Sequence, residues 1–143
     1  MVRTLEPRDV DAVLRIQKVS PELAQWTRRD YERVANGEMA GWVAKEGDAV
    51  VGFVVARKLA DEMEILNLAV APDVRLHHLG SELLGTAFDW GRTNQIRKAF
   101  LEVRASNFAA IAFYERHNFK SVGRRQKYYV APIEDAIILA ANL

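Results

Sequence analysis

The sequence predicts an α/β (α+β) domain with a mixed sheet and helices on both faces. Three observations lead there. A group of consecutive strand-like runs fills the middle of the chain, and a strand–helix–strand–helix–strand alternation follows it. The run from Met63 to Ala71 is apolar almost without interruption from Ile65, as in a strand covered on both faces.

Val2 to Leu5 is long enough for an edge strand. Pro7 suits the first turn of a helix, where its missing N–H costs nothing, and Val10, Val13, Leu14 and Val19 recur at helical spacing over 8–19. Pro21 ends that helix. A second is expected over 22–36, with Thr27 and Asp30 capping an internal restart and Asn36-Gly37 closing it. Trp42–Lys45 and Val50–Ala56 flank Glu46-Gly47-Asp48-Ala49, a hairpin turn. The Met63–Ala71 strand stops at Pro72-Asp73. Leu79, Leu83, Leu84, Ala87 and Phe88 then form one helical stripe ending near Gly91. Ala99–Val103 is a short strand, and Ser106-Asn107 caps a helix reaching His117. Val122, Tyr128–Val130 and Ala136–Leu139 read as two closing strands around a turn at Pro132.

Composition narrows the function. A chain of 143 residues suits one domain over 1–143, large enough to bury roughly two-thirds of its unfolded surface. Cysteine is absent, which excludes disulfides, a thiolate zinc site and a cysteine nucleophile. A net charge of +1 gives no global field for nucleic acid. Arg124-Arg125-Gln126-Lys127 beside Tyr128-Tyr129 comes nearest to a basic stripe, and reads as a solvated strand end or a rim facing an acidic acceptor. Two of the three histidines, His77 and His78, are adjacent, a poor spacing for metal on one helix face, and no metal is expected. No apolar run approaches the ~20 residues that span a bilayer, and the N-terminus has no signal-peptide core. The expectation is a cytoplasmic protein with no membrane partner.

Three places carry possible chemistry. At Leu66–Ser81 a buried strand runs into a loop that opens a helix, whose unpaired N–H groups and positive dipole end suit a phosphate. Arg75, His77 and His78 add positive or potentially positive side chains; the plainer alternative is a solvated basic turn. Neither a dinucleotide fingerprint nor a P-loop is spelled there. Glu102 alternates with Leu101 and Val103, which places it with Phe100 and Arg104 on one strand face. A carboxylate inside a strand either faces a cleft, where desolvation favours its protonated form, or pairs with Arg104 or another cation. Tyr114, beside the Ala110–Phe113–His117 row, is either a core tyrosine or a phenol able to protonate a leaving thiolate. Trp26, Trp42 and Trp90 read as core or boundary aromatics.

Spelling adds what spacing leaves open. Leu66-Asn67-Leu68-Ala69-Val70-Ala71-Pro72-Asp73, Arg75…Gly80-Ser81, Leu101-Glu102-Val103-Arg104-Ala105-Ser106-Asn107, Ala110–Glu115, Asn118-Phe119 and Glu134–Leu139 resemble the GNAT acyltransferases. More narrowly they resemble the ribosomal-protein-alanine N-acetyltransferase branch, the RimI-like enzymes. The likeness is dense over 62–140 and weak before it, where the acceptor side of such a site forms. It implies a mostly antiparallel sheet whose two central parallel strands splay apart to hold acetyl-CoA. The backbone of Leu68, Ala69 and Val70 is then expected along the pantetheine arm, and Arg75, Leu76, His77, His78, Leu79, Gly80 and Ser81 around the pyrophosphate. Asn107 is expected to contact the cofactor, Glu102 to act as general base and Tyr114 as general acid. The implied reaction is direct attack in a ternary complex by the α-amino group of a protein N-terminus, Ala-starting, as on a ribosomal protein. An α-amine of pKa ~7.7–8.0 needs far less help from a base than a lysine at ~10.4. A small-molecule amine or lysine acceptor, or a non-catalytic acyl-CoA-binding module, are the alternatives; retention of both Glu102 and Tyr114 argues against the last. A monomer or weak homodimer is expected, an exposed C-terminal edge strand being able to pair two copies.

One departure stands out. The family loop usually reads Gln/Arg-x-x-Gly-x-Gly/Ala, and here His78 stands at the first glycine and Leu76 where a basic residue is common. Glycine lets backbone approach phosphate and takes positive φ freely, so weaker acetyl-CoA binding is expected. A protonated His77 or His78 would act oppositely, with affinity falling as pH rises through the histidine range.

Overall fold

A computed structural model describes residues 1–74 and 78–143. Among these residues seven strands form one sheet: β1 (Val2–Thr4), β2 (Ala40–Glu46), β3 (Ala49–Leu59), β4 (Glu62–Val70), β5 (Lys98–Arg104), β6 (Lys120–Val130) and β7 (Ile133–Asn142). Their spatial order is β1-β2-β3-β4-β5-β7-β6, and β4–β5 is the parallel pair among otherwise antiparallel neighbours. The α-helices α1 (Val10–Lys18), α2 (Arg28–Ala35), α3 (Leu79–Thr93) and α4 (Phe108–Arg116) cover it.

Alternation along the strands sorts the core into two layers. Trp42, Val54, Ala56 and Met63 pack with Leu83, Leu84 and Ala87 of α3 and Tyr114 of α4. Val43, Phe53 and Val55 pack on the other side with Val10, Val13 and Ile16 of α1 and Tyr31 and Val34 of α2. Trp42 and Trp90 meet edge-on within the first layer, at 5.6 Å between ring centroids.

The strand β4 supplies both layers because it is bulged. Val55 pairs with Asn67 and Ala56 with Ile65, so Leu66 is an extra residue without a counterpart on β3. Below the bulge, Met63 and Ile65 face α3; above it, Ala69 joins the α1–α2 layer. A bulge bends its strand, and the consequence appears on the other edge. Pairing between β4 and β5 begins at Glu62/Lys98 and stops at Glu64/Phe100, although β4 runs on to Val70 and β5 to Arg104. The splay expected from the resemblance is present.

Some boundaries differ from the sequence expectation. The helix anticipated over 22–36 begins only at Arg28, and Thr27 with Asp30 makes a reciprocal capping box at that start rather than at an internal restart. Before it, the backbone of Ala24 and Trp26 is hydrogen-bonded by side chains of Asn67 and Gln17, which holds it out of a helix. α3 runs past Gly91 to Thr93, since Gly91 gives room for packing: a Cβ there would meet Leu143 Cδ2 at 2.7 Å and Met63 Sδ at 2.8 Å. β3 extends to Leu59 and turns into β4 through Ala60-Asp61, a second hairpin with no Asn-Gly or Asp-Gly to announce it. No helix among the described residues is long and apolar enough to cross a membrane.

Candidate active site

The splay leaves a cavity of about 560 Å³ between the diverging ends of β4 and β5. It opens to both layers. Leu66, Asn67 and Leu68 line it from β4, Glu102 and Arg104 from β5, and Tyr114 from α4.

Glu102 shares a β5 face with Phe100 and Arg104, because Leu101 and Val103 pack into the α3–α4 layer. It therefore looks toward the α1–α2 side. Its ion-pair partner is Arg125 of β6, with Nε 3.1 Å from Oε1, and not its neighbour Arg104. Arg104 instead reaches Glu134 Oε1 at 3.3 Å and lies over the Tyr129 ring at 4.3 Å from its centroid. The second Glu102 oxygen, Oε2, is buried and has no hydrogen-bond partner among the described residues. An unsatisfied buried acceptor is costly, so one retained at a cavity wall indicates a group waiting for a donor. Tyr128 and Tyr129 both feel the charge of the same carboxylate. Hydrogen bonding to Glu102 raises the Tyr128 pKa, while burial first and then the Glu102 charge push Tyr129 up to about 12.

Tyr114 stands on the opposite layer. It is buried, with Phe113 and Phe119 edge-on at 5.2 and 5.3 Å. The end of α4 fixes it: Phe119 N–H donates to Tyr114 C=O at 3.1 Å and Asn118 N–H to Glu115 C=O at 3.2 Å, with Asn118 at φ 69°. This is the paired-bond helix stop with its apolar contact. Burial raises the Tyr114 pKa above the ordinary phenol value, so the group keeps its proton across the working pH range. A carboxylate acceptor on one side of the gap and a phenol donor on the other can take a proton from one reactant and give one to another.

The strand–loop–helix junction also takes shape. Leu68 and Val70 line the cavity, as do His78, Gly80 and Ser81 at the start of α3. Ala69 and Leu79 do not: both are buried, Ala69 in the α1–α2 layer and Leu79 under α3. For these two the expected contact is confined to backbone. Arg75, Leu76 and His77 lie outside the described residues. His78 sits at the helix boundary with φ 60° and ψ 17°, the left-handed region, and caps nothing with its side chain. The position is one that favours glycine, as the sequence departure suggested. A Cβ on Gly80 would lie 3.2 Å from Phe113, so the first turn of α3 packs flat against α4. Ser81 Oγ and His117 Nε2 tie the two helices at 2.9 Å, and burial first, then Arg116, holds the His117 pKa below the usual imidazole value. Asn107 accepts from Ala110 N–H through Oδ1 at 3.2 Å and lines the cavity with Tyr114.

Two groups of residues escaped the sequence reading. Arg125, Tyr128 and Tyr129 reach Glu102 across β7 because β6 is irregular between Arg125 and Tyr129, where Lys127 N–H donates to Asp135 Oδ1 at 2.9 Å. The only sequence signal was the charged and aromatic run itself. The buried amides of Gln17 and Asn67 and the buried Tyr31 lie on apolar helix and strand faces, and polar residues in such patterns were the available clue. Among the described residues no group of three or more His, Cys, Asp or Glu could hold a metal ion.

These features match known proteins. Residues 8–119 match the acetyltransferase (GNAT) family. The [ribosomal protein bS18]-alanine N-acetyltransferase of Escherichia coli (strain K12) is 30% identical over 141 residues, covering 97% of this chain and 95% of that protein. The protein of the same name from Salmonella typhimurium is 40% identical over 95 residues, 65% of this chain and 64% of its own. The crystal structure of the E. coli ribosomal-protein-S18-alanine N-acetyltransferase aligns with a TM-score of 0.86 at 29% identity, over 99% of this chain and 92% of that one. Ard1 from Thermoplasma volcanium aligns with a TM-score of 0.91 at 26% identity, over 100% and 97%. The chain belongs to the GNAT acetyltransferase family. Within it the chain is RimI-like, an acetyl-CoA-dependent N-acetyltransferase.

Proposed function

We propose that this enzyme acetylates the α-amino group of a protein N-terminus, Ala-starting, with a ribosomal protein as the acceptor its relatives' names suggest. The observation that carries the reading is the buried Oε2 of Glu102, unpartnered among the described residues, at the wall of the gap between β4 and β5.

The residues present fit acetyl-CoA. The gap offers strand edges at Leu68, Ala69 and Val70 for an amide-bearing arm, and the first turn of α3 offers the N–H groups of Leu79, Gly80 and Ser81 to phosphates. His78 and the loop residues Arg75, Leu76 and His77 extend that turn in sequence. Asn107 caps α4 with Oδ1 alone, so its amide N–H groups can serve the cofactor. Acetyl-CoA, when bound, supplies an acetyl thioester. Glu102 takes the proton that the amine gives up, with Oε1 held by Arg125 and Oε2 free to accept. Tyr114 donates a proton to the departing sulfur, whose own proton affinity rises in the same apolar surroundings. No enzyme nucleophile is needed, and holding both reactants together supplies the proximity contribution.

The test is release of free thiol with peptides starting Ala, Ser, Met or acetyl-Ala, beside free lysine and a polyamine. The reading expects turnover on Ala-starting peptides, lost in acetyl-Ala and in Glu102→Gln. Turnover confined to lysine or the polyamine would overturn the acceptor, and acetyl-CoA binding without turnover on any of them would point to a different acceptor class.

A further inference from the structure

The segment 19–27 joins α1 to α2 without forming a helix, and Glu22, Leu23 and Ala24 from it line the cavity. Backbone in such a segment must find partners elsewhere. Three buried polar side chains supply them. Gln17 of α1 pairs with Trp26 as a neighbouring strand would: Nε2 donates to Trp26 C=O at 2.8 Å, and Trp26 N–H donates to Oε1 at 3.1 Å. Tyr31 of α2, fully buried, donates its hydroxyl to the same Oε1. Asn67 of β4 spends both amide protons here, on Ala24 C=O and on Tyr31 Oη, each at 3.1 Å.

Asn67 reaches this layer because of the bulge. In a regular strand it would share a face with Ile65, which packs against α3. The extra Leu66 turns Asn67 instead toward Tyr31 and Ala24. One irregularity thus opens the gap beside β5 and sends an amide to fix the opposite wall. That wall lies on the α1–α2 side, the side to which Glu102 looks, whereas the start of α3 belongs to the other layer.

We propose that Asn67, through Tyr31 and Gln17, is a positioning residue for the acceptor: it sets the 22–24 wall in register with Glu102 and leaves acetyl-CoA binding alone. The inference rests on the α-amine acceptor reading. Its test is initial-rate kinetics of Asn67→Ala and of the gentler Tyr31→Phe, with KM measured separately for an Ala-starting peptide and for acetyl-CoA. The expected result is a tenfold or greater rise in peptide KM for Asn67→Ala and about threefold for Tyr31→Phe, with KM for acetyl-CoA within twofold. Loss of folded protein alone would lower the apparent rate without separating the two constants. Equal rises in both, or an unchanged peptide KM, overturn the proposal. Amide exchange by mass spectrometry gives a readout independent of turnover. Exchange over 22–26 should quicken tenfold or more in Asn67→Ala while α3 is unaffected, and unaltered exchange there also overturns it. If the wild type acetylates no Ala-starting peptide, the acceptor reading has failed, and the exchange result still decides whether Asn67 holds the wall.

Discussion

Replacing His78 by glycine should stabilise the protein and tighten acetyl-CoA binding together. His78 holds φ 60° at the start of α3, and a Cβ in the left-handed region costs roughly 1–2 kcal/mol. Glycine removes that cost but adds unfolded-state freedom worth about 0.4–1 kcal/mol in the opposite direction. The side chain is exposed and makes no cap, so little contact is lost. The balance is a gain of about 0.5–1 kcal/mol, or a rise in Tm of about 1–4 °C for a domain of this size. Separately, loss of the Cβ lets the turn backbone approach the phosphates more closely, and a binding gain of about 0.5–1 kcal/mol there corresponds to an acetyl-CoA Kd lower by about two- to fivefold. Urea unfolding and calorimetric titration measure the two effects. His78→Ala is the control, because it removes the imidazole and keeps the Cβ. Equal behaviour of the alanine and glycine variants would refute the backbone argument, and weaker binding in both would assign the histidine side chain a positive role at the phosphates.

Glu102→Gln should lower kcat by about 10²–10³ at pH 7 with the fold intact, since general bases typically contribute that much, and the deficit should shrink toward pH 9 as free amine accumulates. A pH-independent deficit would contradict the base assignment. Tyr114→Phe keeps the aromatic contacts with Phe113 and Phe119 and should lower kcat at least tenfold while moving Tm by no more than a few degrees; full activity would remove the phenol from the reaction. His117 is held with a lowered pKa, so the folded state resists protonation and the unfolded chain takes the proton first. Stability is then complete above the unfolded value near ~6.5 and declines as pH falls below it toward the folded value. Urea midpoints from pH 7.5 to 5 should fall more steeply in the wild type than in His117→Gln, and parallel slopes would contradict this.

The order of strands and helices was legible because period-2 and period-3.6 patterns are local properties, and the sheet's burial of Ile65–Val70 on both faces left a run that is apolar except for Asn67. The non-helical 19–27 segment was not legible. Its conformation is decided by Asn67 and Gln17, and Asn67 lies 43 residues from the carbonyl it binds. The bulge at Leu66 left no trace either, because an extra apolar residue in an apolar strand looks like continuation. At the site, spelling picked out Glu102 and Tyr114, which line one cavity, but alternation alone could not choose between Arg104 and a distant cation as the partner of Glu102. The answer depends on the irregular stretch of β6, where Lys127 takes φ 52° and Asp135 holds the backbone. Glycine was missing from the left-handed position at His78, and that absence was itself the readable signal.

The most direct test of the α-amine assignment is where the acetyl group goes. A peptide beginning with alanine and carrying one internal lysine, incubated with enzyme and acetyl-CoA and fragmented by mass spectrometry, should carry acetyl on the alanine nitrogen alone, with Glu102→Gln nearly silent. Acetyl on the lysine nitrogen, or equal labelling by wild type and Glu102→Gln, would contradict the account.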